Sequence, residues 1–124
     1  MRFAKHVFII AGVWGLIIMP PLYFLESSIN AQQPPAITHP EYFYGFIGVT
    51  LVCQILFLVI ASNPIRFRPI MLIALLEKVS YVLAIPLLFL AGRVPNAVLA
   101  TAVPDFILAV LFVFAYRKTP VAET

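Results

Sequence analysis

Charged residues are scarce in this chain. Aspartate, glutamate, lysine and arginine make up 10% of its 124 residues, against about a quarter in typical soluble domains. Residues with apolar side chains make up 63%. A soluble domain of this length buries only about 60–70% of the surface that its unfolded chain exposes, so it cannot hide so much apolar surface. The scarcity of charge therefore excludes an ordinary soluble fold and indicates a protein whose main solvent is lipid.

Thiol and imidazole ligands are also scarce. The chain has one cysteine, Cys53, and two histidines, His6 and His39, which lie on opposite sides of the first predicted membrane span. A lone cysteine forms no intramolecular disulfide and no multi-thiolate metal site, and the two histidines cannot jointly bind a haem or a metal ion within one chain. We therefore predict no metal and no cofactor. The basic residues form no stripe interleaved with aromatics, which argues against a nucleic-acid partner.

The chain does contain four long apolar runs of 19–22 residues. A hydrocarbon core of about 30 Å needs about 20 helical residues at a rise of about 1.5 Å each. Backbone groups in lipid must bond internally, so runs of this length should be helices. The predicted helices cover residues 7–25, 42–61, 70–91 and 97–116. We therefore predict an all-α, integral membrane four-helix bundle that forms one domain over residues 1–124.

Lysine and arginine are distributed unequally between the two sides of the predicted bundle. The side that Arg93 faces has no other basic residue, whereas the opposite side collects six. Those six are Arg2, Lys5, Arg66, Arg68, Arg117 and Lys118. Cytoplasmic loops carry the excess of basic residues in membrane proteins. We therefore predict a multi-pass protein of the cell (inner) membrane with both termini in the cytoplasm.

Four polar residues lie deep inside the predicted helices. The helical rise places Gln54, Glu77 and Lys78 about 10–12 Å, and Asp105 about 16 Å, from the cytoplasmic ends of their helices. Three helices therefore place polar groups in one layer of the bilayer, and Tyr81 follows on the same face of the third helix. A charged residue costs roughly 2.5–3.5 kcal/mol at a helix centre, so we expect these groups to face one another.

The polar layer has two interpretations. It either fixes one arrangement of the helices, or it forms a ligand- or proton-binding site. The residues of that site would be Gln54, Glu77, Lys78, Tyr81 and Asp105. Because an uncompensated buried charge usually gains or loses a proton, we predict that Lys78 pairs with one carboxylate, while the other holds a proton or reaches Arg66.

Prolines and glycines mark further positions in the predicted helices. The Pro20–Pro21 pair, Pro86 and Pro104 remove backbone hydrogen bonds in the outer halves of their helices. Such kinks either open a cavity for a ligand or are ordinary features of membrane helices. Gly12 and Gly15 lie on one face of the first helix, where small residues allow another helix to approach closely.

The stretch from Tyr42 to Lys118 contains four recognisable segments. They are YFYGFIGV at the start of the second helix, a turn with Pro64, Arg66 and Arg68, LLEKVSY in the third helix, and PDFILAVLFVFAY in the fourth. Together they resemble small, mostly uncharacterised bacterial four-helix membrane proteins of the broad DoxX-like kind. That resemblance implies a four-helix membrane fold, and some such proteins are associated with membrane redox complexes. It identifies no catalytic residue.

Three functions fit these features. The first is a small membrane protein without catalysis, acting as an accessory subunit or a lipid-embedded binding module. Its partner would be membrane lipid, and it would belong to a homo-oligomer or to a larger membrane complex. The second is proton-coupled transport of a small molecule with Glu77 or Asp105 as the switch, although the first helix lacks the acid that small multidrug transporters use. The third is a membrane enzyme that isomerises a lipid with these carboxylates as acid and base.

Overall fold

The computed structural model describes residues 2–122, which form five α-helices and one 3-10 helix and contain no β-strand. In chain order they are α1 (Arg2–Ile18), the 3-10 helix (Pro20–Phe24), α2 (Glu26–Gln32), α3 (Pro40–Ser62), α4 (Arg68–Leu90) and α5 (Asn96–Lys118). The predicted domain covers residues 1–124, of which 1, 123 and 124 lie outside the described residues. That the chain forms one domain stays a prediction.

Four of these segments are long and apolar enough to cross a membrane. They are α3, α4 and α5, and the 23 residues Arg2–Phe24 that join α1 to the 3-10 helix. A 23-residue α-helix measures about 34 Å, more than a hydrocarbon core of about 30 Å. Many large apolar side chains, such as Ile17, Val52, Leu76 and Phe106, are more than half exposed on the outer surface. Helices that are apolar on all sides suit lipid, and the prediction of an all-α bundle with four candidate spans is confirmed.

The helix ends follow from local sequence. Pro40 occupies the first position of α3, where its missing N–H would have no helical partner in any case. After α4, Gly92 adopts the left-handed conformation with φ of 73°. Its N–H donates to the carbonyl of Phe89 over 3.0 Å, and the N–H of Arg93 donates to the carbonyl of Leu88 over 2.9 Å. This pair of bonds is a Schellman motif, which ends the helix and turns the chain towards α5.

The N-terminal region differs from the predicted boundaries. α1 begins at Arg2 rather than at residue 7, and the α-helix gives way to a 3-10 helix at Pro20 because proline has no N–H for the helical ladder. The loop after residue 25 contains α2, a polar helix that apolar run length could not predict. α2 is attached to α3 by the Tyr44 hydroxyl, which donates to Glu26 Oε2 over 2.7 Å. The ring of Tyr23 stacks on Tyr44 with centroids 6.0 Å apart.

The four long helices form an antiparallel ring in chain order. α1 packs along α3, α4 packs along α5, and the two pairs meet where α1 contacts α5 and α3 contacts α4. The contact between α3 and α4 is the least extensive of the four. We call the end with the chain termini and the α3–α4 turn the terminal end. The end with the α1–α3 connection and the α4–α5 turn is the loop end.

The tightly packed core lies at the terminal end. The fully buried rings of Phe8, Phe57 and Phe112 come from α1, α3 and α5. Phe8 stacks on Phe112 with centroids 4.4 Å apart, and Phe57 meets Phe112 edge-on at 5.2 Å. Small buried residues surround these rings: Ala4, Ala11, Ala61, Ala74 and Ala115. Their size lets the helix backbones approach closely around the rings.

Arg68 ties the α3–α4 turn to the end of α5. Its Nε donates to the carbonyls of Tyr116 and Thr119 over 3.2 and 2.8 Å, and its guanidinium lies 3.8 Å from the centroid of the Tyr116 ring. The last carbonyls of a helix lack intrahelical donors and carry partial negative charge, so they favour a cation. The Thr119 hydroxyl also donates back to the carbonyl of Ala115. Arg68 therefore acts as the C-terminal cap of α5.

Candidate ligand-binding site

A cavity of about 600 Å³ lies inside the bundle, on the loop-end side of the aromatic core. Its walls come from α1, the 3-10 helix, α3, α4 and α5, and are mostly apolar, with Trp14, Ile18 and Val49 among the lining residues. On the α3–α4 side, the rings of Phe46 and Tyr81 stack with centroids 6.1 Å apart. Cavities that bind small molecules in proteins measure about 300–1,000 Å³, so this one is large enough for a ligand.

Prolines of two helices lie at the border of this cavity. Met19 and Leu22, on either side of the helix break at Pro20, line it from α1 and the 3-10 helix, and Pro104 lines it from α5. Pro86 of α4 is not among the lining residues. The helix break at Pro20 and the position of Pro104 are therefore at the cavity and Pro86 is not, while the interpretation that proline kinks open the cavity stays a prediction.

Lys78 lies at the floor of the cavity between two carboxylates. Its Nζ is 3.3 Å from Asp105 Oδ1, 3.5 Å from Glu77 Oε2 and 5.1 Å from the centroid of the Phe57 ring. Lys78 is 4% exposed. Its ammonium is hydrogen-bonded to one carboxylate, that of Asp105, as predicted, but it also lies within ion-pair distance of Glu77. That one of the two carboxylates holds a proton stays a prediction. Arg66 does not take part, since its guanidinium lies over the aromatic ring that follows it in the turn.

Gln54 lies against a glycine of α1. The residue is 1% exposed, its Nε2 donates to the Thr50 carbonyl over 2.8 Å, and its Oε1 receives no hydrogen bond from the described residues. A Cβ at Gly15 would overlap the amide group of Gln54, and a Cβ at Gly12 would lie 2.7 Å from the Leu58 side chain. The prediction that these glycines let a second helix approach is confirmed, and Gly15 makes the room that Gln54 occupies.

Tyr81 links α4 to α5 in the wall of the cavity. Its hydroxyl forms a hydrogen bond with Thr101 Oγ1. The Thr101 hydroxyl also donates to the Val98 carbonyl one turn earlier in α5. Because a hydroxyl has one proton, Tyr81 is the donor in the bond between the two side chains. This bond links α4 to α5 at the height of the cavity and fixes the Tyr81 ring in its wall.

The structure brings all of the predicted site residues to one cavity. Those residues are Gln54, Glu77, Lys78, Tyr81 and Asp105. That they bind a ligand or a proton stays a prediction. Sequence reasoning did not find Thr50, Thr101 or Trp14. Thr101 lies one helical turn before Asp105 on the same face of α5, and this spacing of four residues was a usable signal. Nothing in the sequence distinguishes Trp14 from a packing residue.

The described residues offer no evident metal site. Within residues 2–122, no three His, Cys, Asp or Glu side chains lie close enough together to hold a metal ion. The cysteine of the cavity wall, Cys53, is partly buried and has a free thiol. The expectation that the protein needs no cofactor stays a prediction.

Comparison with known proteins gives no family for this chain. No protein family matches it, and neither a curated protein nor a solved structure does. The DoxX-like resemblance and the bacterial origin that it implies therefore stay predictions. The structure supports the broader statement, that of a small all-helical protein whose four apolar helices fit a multi-pass membrane protein.

Proposed function

We propose that this protein is a non-catalytic, membrane-embedded binding module that holds one amphipathic, lipid-soluble molecule inside its helix bundle. The observation that carries this proposal is the cavity of about 600 Å³ with apolar walls and a polar floor. The floor is made by Gln54, Glu77, Lys78 and Asp105. Moving an apolar tail from lipid to the cavity walls would cost little free energy, while a polar head at the floor would gain hydrogen-bond partners.

The state of the two carboxylates favours binding over catalysis. A general acid or base must be free to move a proton at the reacting atom, whereas Glu77 and Asp105 both lie within 3.5 Å of the Lys78 ammonium. The predicted proton-coupled transporter and the predicted lipid isomerase stay predictions. A proton-driven flux, or an isomerase turnover, that is lost in Glu77→Gln would favour one of them over the binding module.

The binding proposal can be tested through the single tryptophan. Trp14 lines the cavity, so its fluorescence should report when a quenching molecule enters. The protein in lipid nanodiscs is titrated with ω-bromododecanol, whose bromine quenches tryptophan on contact. We expect saturable quenching, and an affinity lowered by about tenfold or more in Ala84→Phe, because the added ring takes up cavity volume.

The matched control for this titration is Ala100→Phe. Ala100 is an exposed alanine of α5 that does not line the cavity, so the same added ring should leave the affinity unchanged. Quenching that rises without saturation, and equally in both variants, would mean that the probe reaches Trp14 only from the surrounding lipid. That result would overturn the proposal.

The orientation is also part of the proposal: both termini lie in the cytoplasm of the cell. The antiparallel bundle brings the termini and the α3–α4 turn to one end, and this arrangement supports placing the six basic residues on one side. In a Cys53→Ser background, Ser28→Cys at the loop end should react with an impermeant maleimide in intact cells, and Ala122→Cys at the terminal end should not. The reverse labelling pattern would invert the assignment.

A further inference from the structure

The floor of the cavity contains a buried acceptor atom without a donor. The Nε2 of Gln54 is bonded to the Thr50 carbonyl, so turning the amide round would place two acceptors against each other. Gln54 Oε1 is buried and receives no hydrogen bond from residues 2–122, and Glu77 Oε2 is faced only by the Lys78 ammonium at 3.5 Å. A buried acceptor without a donor costs stability. Gln54 Oε1 therefore favours a molecule that brings a hydrogen-bond donor into the cavity.

The charges at the floor are unequal in number. Among the described residues that line the cavity, the charged side chains are Glu77, Lys78 and Asp105. When all three are ionised, two negative charges face one positive charge, and their sum is −1. An uncompensated charge is costly where water is excluded. A positively charged group in the cavity would remove this cost, whereas a negative group would bring the sum to −2 and raise it.

The ammonium of Lys78 is already engaged by its neighbours. It has three N–H donors, of which one reaches Asp105 Oδ1 at 3.3 Å and a second faces Glu77 Oε2 at 3.5 Å. The ammonium also lies over the Phe57 ring. At most one donor remains for a ligand. An anionic head that approached this donor would lie beside two carboxylates, so the site is poorly arranged for a carboxylate or a phosphate.

We infer that the cavity selects an amphipathic molecule whose head is a primary ammonium group, in preference to a hydroxyl or a carboxylate head. The ammonium donates to Gln54 Oε1 and lies near the carboxylates of Glu77 and Asp105, where it compensates the excess negative charge, while the tail lies along the apolar walls. This inference rests on the proposed binding function and adds the chemistry of the ligand's head.

Three probes with the same tail test this selectivity. They are ω-bromododecylamine, ω-bromododecanol and ω-bromododecanoate, titrated at neutral pH into nanodiscs of phosphatidylcholine, which has no net charge. Quenching of Trp14 measures the affinity of each probe. We expect the amine to bind about tenfold more tightly than the alcohol, and the carboxylate to bind least tightly.

Two variants with the same change of charge localise the effect. Glu77→Gln removes the excess negative charge of the floor, so the affinity for the amine should fall to that for the alcohol. Glu41→Gln, at an exposed glutamate in the first turn of α3, should leave both affinities unchanged. If Glu77→Gln does not fold, Gln54→Leu removes one acceptor without a change of charge. Gln54→Leu should lower the affinity for the amine and for the alcohol, while the amine still binds more tightly than the carboxylate.

The outcomes separate this inference from the function on which it rests. Equal affinities for the three probes, or tightest binding of the carboxylate, would overturn the ammonium preference and leave the binding module standing. An amine affinity that is unchanged both in Glu77→Gln and in Gln54→Leu would overturn it as well. Unsaturable quenching by every probe, with Ala84→Phe behaving as the unchanged protein does, would overturn both proposals.

Discussion

Replacing Lys78 with methionine removes the cation that lies between two largely buried carboxylates. Its distances of 3.3 and 3.5 Å to Asp105 and Glu77 correspond to a Coulomb attraction of about 5 kcal/mol each at an effective dielectric constant of about 20. Desolvation of the three groups offsets much of this attraction. The measured cost of leaving a buried charge without its partner is about 3–5 kcal/mol, and we expect Lys78→Met to lower the free energy of unfolding by that amount.

The measurement is reversible unfolding in mixed detergent micelles, followed by circular dichroism and by the fluorescence of Trp14. Lys118→Met is the matched control, because Lys118 is an exposed lysine whose Nζ lies 4.5 Å from the centroid of the Phe3 ring. An exposed contact of this kind contributes less than about 1 kcal/mol. The control should therefore unfold almost as the unchanged protein does.

A second variant tests the cause of the loss. The triple variant Glu77→Gln, Lys78→Met, Asp105→Asn removes all three charges, and replacing a whole buried ion cluster by neutral groups is often close to neutral for stability. We expect it to recover most of the stability lost in Lys78→Met. The reasoning is refuted if Lys78→Met unfolds within about 1 kcal/mol of the unchanged protein, or if the triple variant is no more stable than Lys78→Met.

Three further predictions concern the bundle. Gly15→Ala places a Cβ on the Gln54 amide and should cost about 1–3 kcal/mol in the same unfolding assay; an unchanged midpoint would mean that α1 and α3 do not pack closely there. Gly92→Ala should cost about 1–2 kcal/mol because of its left-handed backbone. In contrast, Gly45→Ala, with open space around the new Cβ, should leave stability unchanged or raise it by up to about 1 kcal/mol. Equal losses of stability in Gly92→Ala and Gly45→Ala would contradict the effect expected of the left-handed backbone. Arg68→Gln should speed amide hydrogen exchange in the last turn of α5, and unaltered exchange there would refute the capping role.

The membrane spans could be predicted from the sequence because lipid imposes one length on every crossing helix. The ends of those helices could not be predicted, because a helix continues past the last apolar residue wherever its backbone groups find hydrogen-bond partners. α5 continues to Lys118, and the carbonyls of Tyr116 and Thr119 at its end accept hydrogen bonds from Arg68 at the distant start of α4. The short polar α2 depends on the bond between Glu26 and Tyr44, a contact that no local pattern reveals.

The polar layer could be predicted because the fixed rise of a helix converts sequence position into depth. Its contacts could not be predicted, because they depend on rotamers and on the distances between helices. The sequence left open which carboxylate Lys78 would reach, and the structure shows contact with both. Nothing in the sequence indicates that Gln54 lies in the space left by Gly15. The cavity is lined by residues of both α3 and α4, the neighbouring helices with the least extensive contact, and this arrangement depends on the whole bundle.

The uneven packing of the bundle along its length has a consequence for the kinetics of exchange. The rings of Phe8, Phe57 and Phe112 hold the terminal end together, whereas the seam between α3 and α4 has the least extensive contact. If the proposed binding function holds, we expect a molecule dissolved in the bilayer to enter sideways through this seam by displacing the stacked rings of Phe46 and Tyr81. Such a lateral route would stay in the plane of the membrane, so residence time would depend on two aromatic side chains and not on transfer of an apolar tail through water.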